Sequence, residues 1–224
     1  LARQLERPQP GKAKAVAPTR LDLCLPKPDA YSVEFAVKAH LSEPEGPVHY
    51  VENSLICSLF GLLCWEAIFA PVPGAFFHPF HTGPVDLFSA DFHPRRAELF
   101  AACLAHLDSD AYKQVIRQRY ADKFGIQSPF VFWAALDQAL LEQALDCLPA
   151  AHLRAWFKRL LLDIKANRAG MPDLIQFWPA EQRYRMIEVK GPGDRLQDNQ
   201  RRWLAFCAEH GMPVDVCYVQ WADA

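Results

Sequence analysis

With 224 residues, 51% of them apolar, the chain can bury one sizeable core and is excluded from the disordered and low-complexity classes. A formal net charge of −2 excludes a uniformly basic protein that coats nucleic acid, so any such contact must come from a local patch. The longest uncharged apolar stretch, about 53–65, is too short to span a bilayer, and no membrane partner is expected.

Charge is unevenly spread. Residues 1–150 hold 13 Lys+Arg against 17 Asp+Glu, whereas 151–202 hold 11 against 6, and 203–224 hold acids only. A phosphate-binding surface is therefore expected in the region 151–202. Seven cysteines with no CxxC pair read as free thiols in a reducing, intracellular compartment. The first residue is Leu, which suggests the C-terminal part of a longer protein or a processed chain.

In chain order, residues 1–20 combine basic residues with prolines and lack apolar periodicity, which predicts a linker or arm. A short strand is expected over Leu21–Leu25, then a helix from Ala30 to Leu41 capped by Asp29, then a loop through Glu43–Pro47. The next helix, about Glu52 to Ala70, is apolar nearly all round and should be buried. Its acids Glu52 and Glu66 share a face but lie roughly 21 Å apart, so only one can reach any given site.

Residues 71–170 read as helical: a proline- and aromatic-rich loop to Pro94, then helices at about 94–107, 109–123, 132–147 and 149–166. His78 and His81 form an HxxH, with His93 and Cys103 beyond, but no second ligand pair has zinc spacing and packing roles are expected. Arg154, Lys158 and Lys165 fall near one helical face, flanked by Arg159 and Arg168. That face is either solvated or a track for a nucleic-acid strand and its terminal phosphate.

The most informative stretch follows. Gly170-Met171-Pro172-Asp173 leads into the apolar run Leu174–Trp178; Pro179–Gln182 offer a turn; and Tyr184–Lys190 alternates with period two. A hairpin of this kind sets Asp173 at the start of one strand, with Glu188 and Lys190 on one face near the end of the next. Two carboxylates and an ammonium then converge, and hard oxygen donors of this type suit Mg²⁺ or Mn²⁺. The plainer alternative is a turn-capping Asp173 and a solvated Glu188–Lys190 pair. Gly191–Arg195 is a flexible loop able to admit a polymer backbone, with Arg195 a candidate contact. A helix over Gln197–His210, stopped by Gly211, carries Arg201 and Arg202 as candidate phosphate contacts, and Val214–Val219 is read as a third strand closing the sheet.

The motif G-M-P-D, then E-V-K-G-P-x-D-R-L with Gln200 and Trp203 on the next helix, resembles the virus-type replication-repair nuclease (VRR-NUC) domain of the PD-(D/E)xK superfamily. Upstream, His49–Ser54 with Leu59–Glu66, and Gly83–Leu87 with Phe92 and Arg95-Arg96, resemble its Fanconi-associated nuclease branch. The resemblance implies an α/β, restriction-endonuclease-like core, a small mixed sheet flanked by helices, spanning 21–224 with a large all-helical insertion at about 71–166. It implies that Glu52, Asp173, Glu188 and the Val189 carbonyl hold one or two Mg²⁺ or Mn²⁺ ions, with Lys190 and a supporting Gln200 beside them. The implied activity is cleavage of branched DNA, preferring 5′ flaps and proceeding from 5′ ends, in interstrand crosslink repair, with repair-protein partners bound through regions outside this chain. Competing readings are a non-catalytic branched-DNA-binding module and a Holliday-junction resolvase.

Overall fold

Period-two apolar alternation builds the centre of the molecule. The computed structural model describes residues 18–28, 32–78 and 80–222, so the expected arm, the Asp29 cap and the start of the first helix at Ala30 lie largely outside the described residues. In chain order the elements are β1 (Thr19–Leu25), α1 (Val33–Leu41), β2 (Val48–Tyr50), α2 (Ser54–Leu63), α3 (Trp65–Ile68), α4 (Ala97–Ala105) and α5 (Ala111–Lys123). There follow α6 (Gln138–Cys147), α7 (Ala150–Leu162), α8 (Ile164–Asn167), β3 (Leu174–Trp178), β4 (Arg183–Lys190), α9 (Asp198–Glu209) and β5 (Val214–Trp221).

The strands form one mixed sheet in the order β1-β5-β4-β3-β2. Strands β1, β5 and β4 run parallel, and β4–β3 and β3–β2 are antiparallel. Helix α9 makes the crossover that a parallel β4–β5 pair requires. Strand β5 therefore lies inside the sheet rather than closing it; β1, far away in sequence, forms that edge. The opposite edge is β2, a three-residue strand that no periodicity marks.

Alternation divides the sheet into two faces. Tyr184 and Met186 on β4, Ile175 and Phe177 on β3, and Val214 and Val216 on β5 pack into the large core formed with α2, α4–α7 and α9. Ile187, Val189, Leu174, Cys217 and Val219 point the other way, against Val37 of α1.

Two expected helices are broken. The stretch 52–70 begins helical structure only at Ser54, because Glu52 has φ +35°, and it is interrupted at Cys64. The stretch 149–166 breaks at Asp163, which leaves helical geometry at φ −161° and accepts the Ala166 N–H at 2.9 Å to cap α8. Arg154 and Lys158 thus lie on a different helix from Lys165, not on one continuous face. Ahead of α4, Asp86 accepts from both terminal guanidinium nitrogens of Arg96 at 2.8 and 3.0 Å, and the Arg96 side chain is fully buried.

Candidate active site

Register sets the first relationship. Leu174 pairs with Ile187, so one residue further out Asp173 stands across from Glu188, on the face that carries Ile175 and Met186. Strand β3 ends there, and the Val189 N–H, left without a ladder partner on that side, donates to Asp173 Oδ2 at 2.8 Å. A strand residue's N–H and C=O leave the same edge, so the Val189 carbonyl is turned toward Asp173 as well.

Glu188 is fully buried (0% exposed). The Lys190 Nζ sits 2.7 Å from its Oε1 in a buried ion pair, and Oε2 has no hydrogen-bond partner among the described residues. Burial pushes its pKa up to about 7; the neighbouring Asp173 charge adds to the rise and Lys190 opposes it. Asp173 is pushed up to about 6, again chiefly by burial, with the Val189 N–H and Lys190 pulling the other way. The site thus sets two carboxylates against a single ammonium, so the atoms free to accept a cation are all oxygens. Such an oxygen-only set fits a small hard divalent cation.

Glu52 reaches the same place from β2. The N–H groups of Val51 and Glu52 both donate to the carbonyl of Asp173 at 2.9 Å. The Glu52 carboxylate is exposed and held from two sides, by the Tyr50 hydroxyl at 2.7 Å on Oε2 and by Asn53 Nδ2 at 3.1 Å on Oε1. Hydrogen bonding to Glu52 drives the Tyr50 hydroxyl pKa upward. Asn53 Oδ1 in turn accepts the Met171 N–H at 3.1 Å, stitching the start of α2 to the strand that carries Asp173. Glu52 and Glu34 of α1 both lie near enough to raise the pKa of Asp173. Even so, among the described residues no three His, Cys, Asp or Glu side chains stand close enough to hold a metal ion as they are. Asp173, Glu188 and Lys190 form the packed centre, with Glu52 on its rim.

The remaining expected residues are spread more widely. Gln200 lies in the first turn of α9, where its Oε1 accepts the Gln197 N–H at 2.9 Å in a capping box. Arg195 is exposed on the loop after β4, and Arg201 and Arg202 are exposed on α9, Arg201 Nε donating to the Leu196 carbonyl at 3.2 Å. Lys165 and Arg168 line a recess together with Glu52, whereas Arg154 and Lys158 line a separate groove against α4. Arg154 also pairs with Asp108 at 2.7 Å. Arg159 lies over the rings of Trp203 and Phe206, and Glu66 pairs with Arg119 at 2.7 Å. His78 and His81 pack ring against ring at 3.8 Å, and His93 packs on Phe100.

Tyr50, Asn53 and Glu34 escaped the sequence reading. The first two flank Glu52 within H-Y-V-E-N-S, so their adjacency was the available signal; Glu34 shows only as an acid in a helix first turn.

A mixed sheet of this order, with an acid-x-Lys strand end facing an aspartate on the antiparallel neighbour, defines a restriction-endonuclease-like nuclease core. Residues 107–221 match the VRR-NUC domain family. A Fanconi-associated nuclease 1 homolog of Pseudomonas aeruginosa is 68% identical over 99% of this chain and 41% of its own length. Fanconi-associated nuclease 1 of Danio rerio is 33% identical over 75% of this chain and 18% of its own length, and that of Homo sapiens 32% identical over 75% and 17%. The crystal structure of paFAN1 bound to 2nt 5′flap DNA with gap matches with a TM-score of 0.91 and 69% identity, covering 96% of this chain and 40% of that one. The chain belongs to the Fanconi-associated nuclease family and carries its VRR-NUC domain. It spans about two-fifths of the Pseudomonas relative and under a fifth of the vertebrate ones. No helix among the described residues is long and apolar enough to cross a membrane.

Proposed function

We propose that this chain carries the cutting site of a metal-dependent, structure-selective DNA nuclease that hydrolyses phosphodiester bonds at 5′ flaps and from 5′ ends. The observation that carries the reading is the half-buried Asp173 set across from the fully buried Glu188, with Lys190 2.7 Å from the latter. The flap preference draws on a relative crystallised bound to 5′flap DNA, and the proposed role in interstrand crosslink repair on kinship with Fanconi-associated nucleases. On the same reading, 21–224 is the nuclease domain, 71–166 is a helical insertion in it, and 1–20 is an arm. Repair-protein partners would bind through regions outside this chain.

Asp173, Glu188, Glu52 and the Val189 carbonyl would hold one or two Mg²⁺ or Mn²⁺ ions. Such ions, when bound, polarise a phosphoryl oxygen and make water a stronger nucleophile near neutral pH. Lys190 is held against Glu188 in a nearly dry position, where its charge acts at short range with little screening. It orients the attacking water and offsets the negative charge that builds on the phosphoryl oxygens as the water adds. Asp173 is aimed by the Val189 N–H and by its own backbone's bonds to Val51 and Glu52, so its orientation is set before substrate arrives. Gln200 supports Lys190 and the water from the first turn of α9. Lys165 and Arg168 lead the strand to Glu52, and Arg154, Lys158, Arg195, Arg201 and Arg202 contact phosphates further out.

Cleavage of a labelled 5′-flap oligonucleotide tests this. Asp173→Ala and Lys190→Ala should each abolish Mg²⁺-dependent cutting while leaving flap binding in Ca²⁺ intact. Full activity in either variant removes the assignment.

A further inference from the structure

The recess beside Glu52 has an aromatic side that phosphate binding does not explain. Its volume is about 570 Å³, and Tyr50, Glu52, Phe132, Lys165 and Arg168 are among the residues lining it. That size falls in the range of roughly 300–1,000 Å³ used for small-molecule sites. From this arrangement we infer that the recess is a stacking pocket for a nucleobase of the DNA strand, with Phe132 offering its ring to the base while Lys165 and Arg168 hold the adjoining phosphate. The inference rests on the nuclease reading and adds a subsite to it.

Phe132 is 40% exposed, although its neighbours Phe130 and Val131 are buried. A lone exposed aromatic carries no message; what matters is how this one is held and what stands beside it. The Phe132 N–H donates to the buried Ser58 Oγ at 3.0 Å, and the same hydroxyl donates to the Phe130 carbonyl at 3.4 Å. Gly61, one turn along α2, lets this loop pass close by, since a Cβ there would lie 2.8 Å from Phe130 Cβ. The backbone under the exposed ring is thus anchored to the core, and little ordering is left to be done on binding.

Tyr50 is fixed in the same way. It is 38% exposed, its hydroxyl is tied to Glu52, and its ring stacks on Phe35 at 5.4 Å and 26°. Arg168 is steadied by donating to the Pro129 carbonyl at 3.2 Å and lies 5.7 Å from the Phe88 ring. Lys165 is exposed on α8. Rigid π-faces interleaved with cations are how single-stranded nucleic acid is held without reading its sequence. The pocket opens beside a proposed catalytic carboxylate, which places the stacked base next to the phosphate to be cut.

Fluorescence anisotropy in Ca²⁺, on the full chain, compares an oligothymidylate of about ten residues with an abasic oligomer carrying the same number of phosphates. Phe132→Ala should weaken oligothymidylate binding about tenfold, the equivalent of one lost base stack, and leave the abasic oligomer unaffected. Phe132→Leu keeps the apolar bulk without the π-face and should behave alike, so the test survives an alanine variant that fails to fold; Phe132→Trp should restore binding. Lys165→Gln should weaken both oligomers. Equal losses on both oligomers in Phe132→Leu, or no loss on either, would overturn the stacking pocket. Base-dependent binding in a wild-type chain that never cuts DNA in Mn²⁺ would support the pocket and sink the nuclease reading instead.

Discussion

The backbone N–H of Glu52 donates to the carbonyl of Asp173 at 2.9 Å, so two acids 121 positions apart in the chain are locked together by main chain. To make that bond Glu52 adopts φ +35°, a left-handed conformation that costs a non-glycine residue about 1–2 kcal/mol. Glu52→Gly should therefore melt at the same temperature as the wild type or above it, a gain of up to about 1 kcal/mol. The same variant should lose flap cleavage by roughly a hundredfold or more, if strain has been kept here for the carboxylate. A Glu52→Gly chain that is both destabilised and fully active contradicts this.

Tyr50 holds Glu52 by a single hydroxyl, so Tyr50→Phe removes one bond and keeps the ring. Groups that orient a metal-binding carboxylate are worth about 10–100-fold in metal affinity. Titrating Mn²⁺ against flap cleavage should give a midpoint raised by about tenfold in Tyr50→Phe, with the rate at saturating metal near wild type. An unchanged midpoint would show that Glu52 needs no such support.

Lys190 compensates a fully buried carboxylate. Removing one member of a buried pair typically costs about 3–5 kcal/mol. Here Glu188, already pushed up to about 7, can take a proton instead of staying charged, so Lys190→Met should cost no more than about 3 kcal/mol. Urea unfolding in EDTA measures it, and a midpoint equal to wild type would mean that the ammonium contributes nothing to the resting fold.

Two histidines give the fold a pH dependence of known sign. Burial is the main cause that lowers the pKa of His49, which bonds Gln143 at 2.7 Å, and of His152, which bonds the Tyr184 hydroxyl at 2.7 Å. A folded-state pKa below the free imidazole value of about 6.5 means that the unfolded chain binds protons first as pH falls. Their stabilisation is present above that value and is lost below it. Between about pH 7 and pH 5 the urea midpoint should fall less in His152→Gln than in the wild type. Parallel pH profiles for the two proteins would contradict the shift.

How much of this was readable in the residues depended on distance along the chain. Asp173, Glu188 and Lys190 sit on one local hairpin, so period-two spacing alone carried their geometry into the fold. Partnerships across the chain left no such trace: nothing in Leu21–Leu25 names β5 as its parallel neighbour, and β2 is too short to show alternation. The break in 149–166 was hidden because neither Gly nor Pro marks it; an aspartate that both ends α7 and caps α8 does the work. Glu52 was expected at a helix start, but the left-handed turn that aims it is set by hydrogen bonds to Asp173, which only the folded chain supplies. Phe132 read as part of a helix and is instead on the loop that leads to α6.

The central claim is that Asp173 and Glu188 share a divalent ion beside Lys190. Anomalous diffraction from crystals grown with Mn²⁺ addresses it most directly. The account predicts a peak within about 2.0–2.3 Å of a carboxylate oxygen of each and of the Val189 carbonyl, absent from Asp173→Ala crystals grown alike. Mn²⁺ bound only elsewhere, in a chain that still cuts flap DNA, would contradict it.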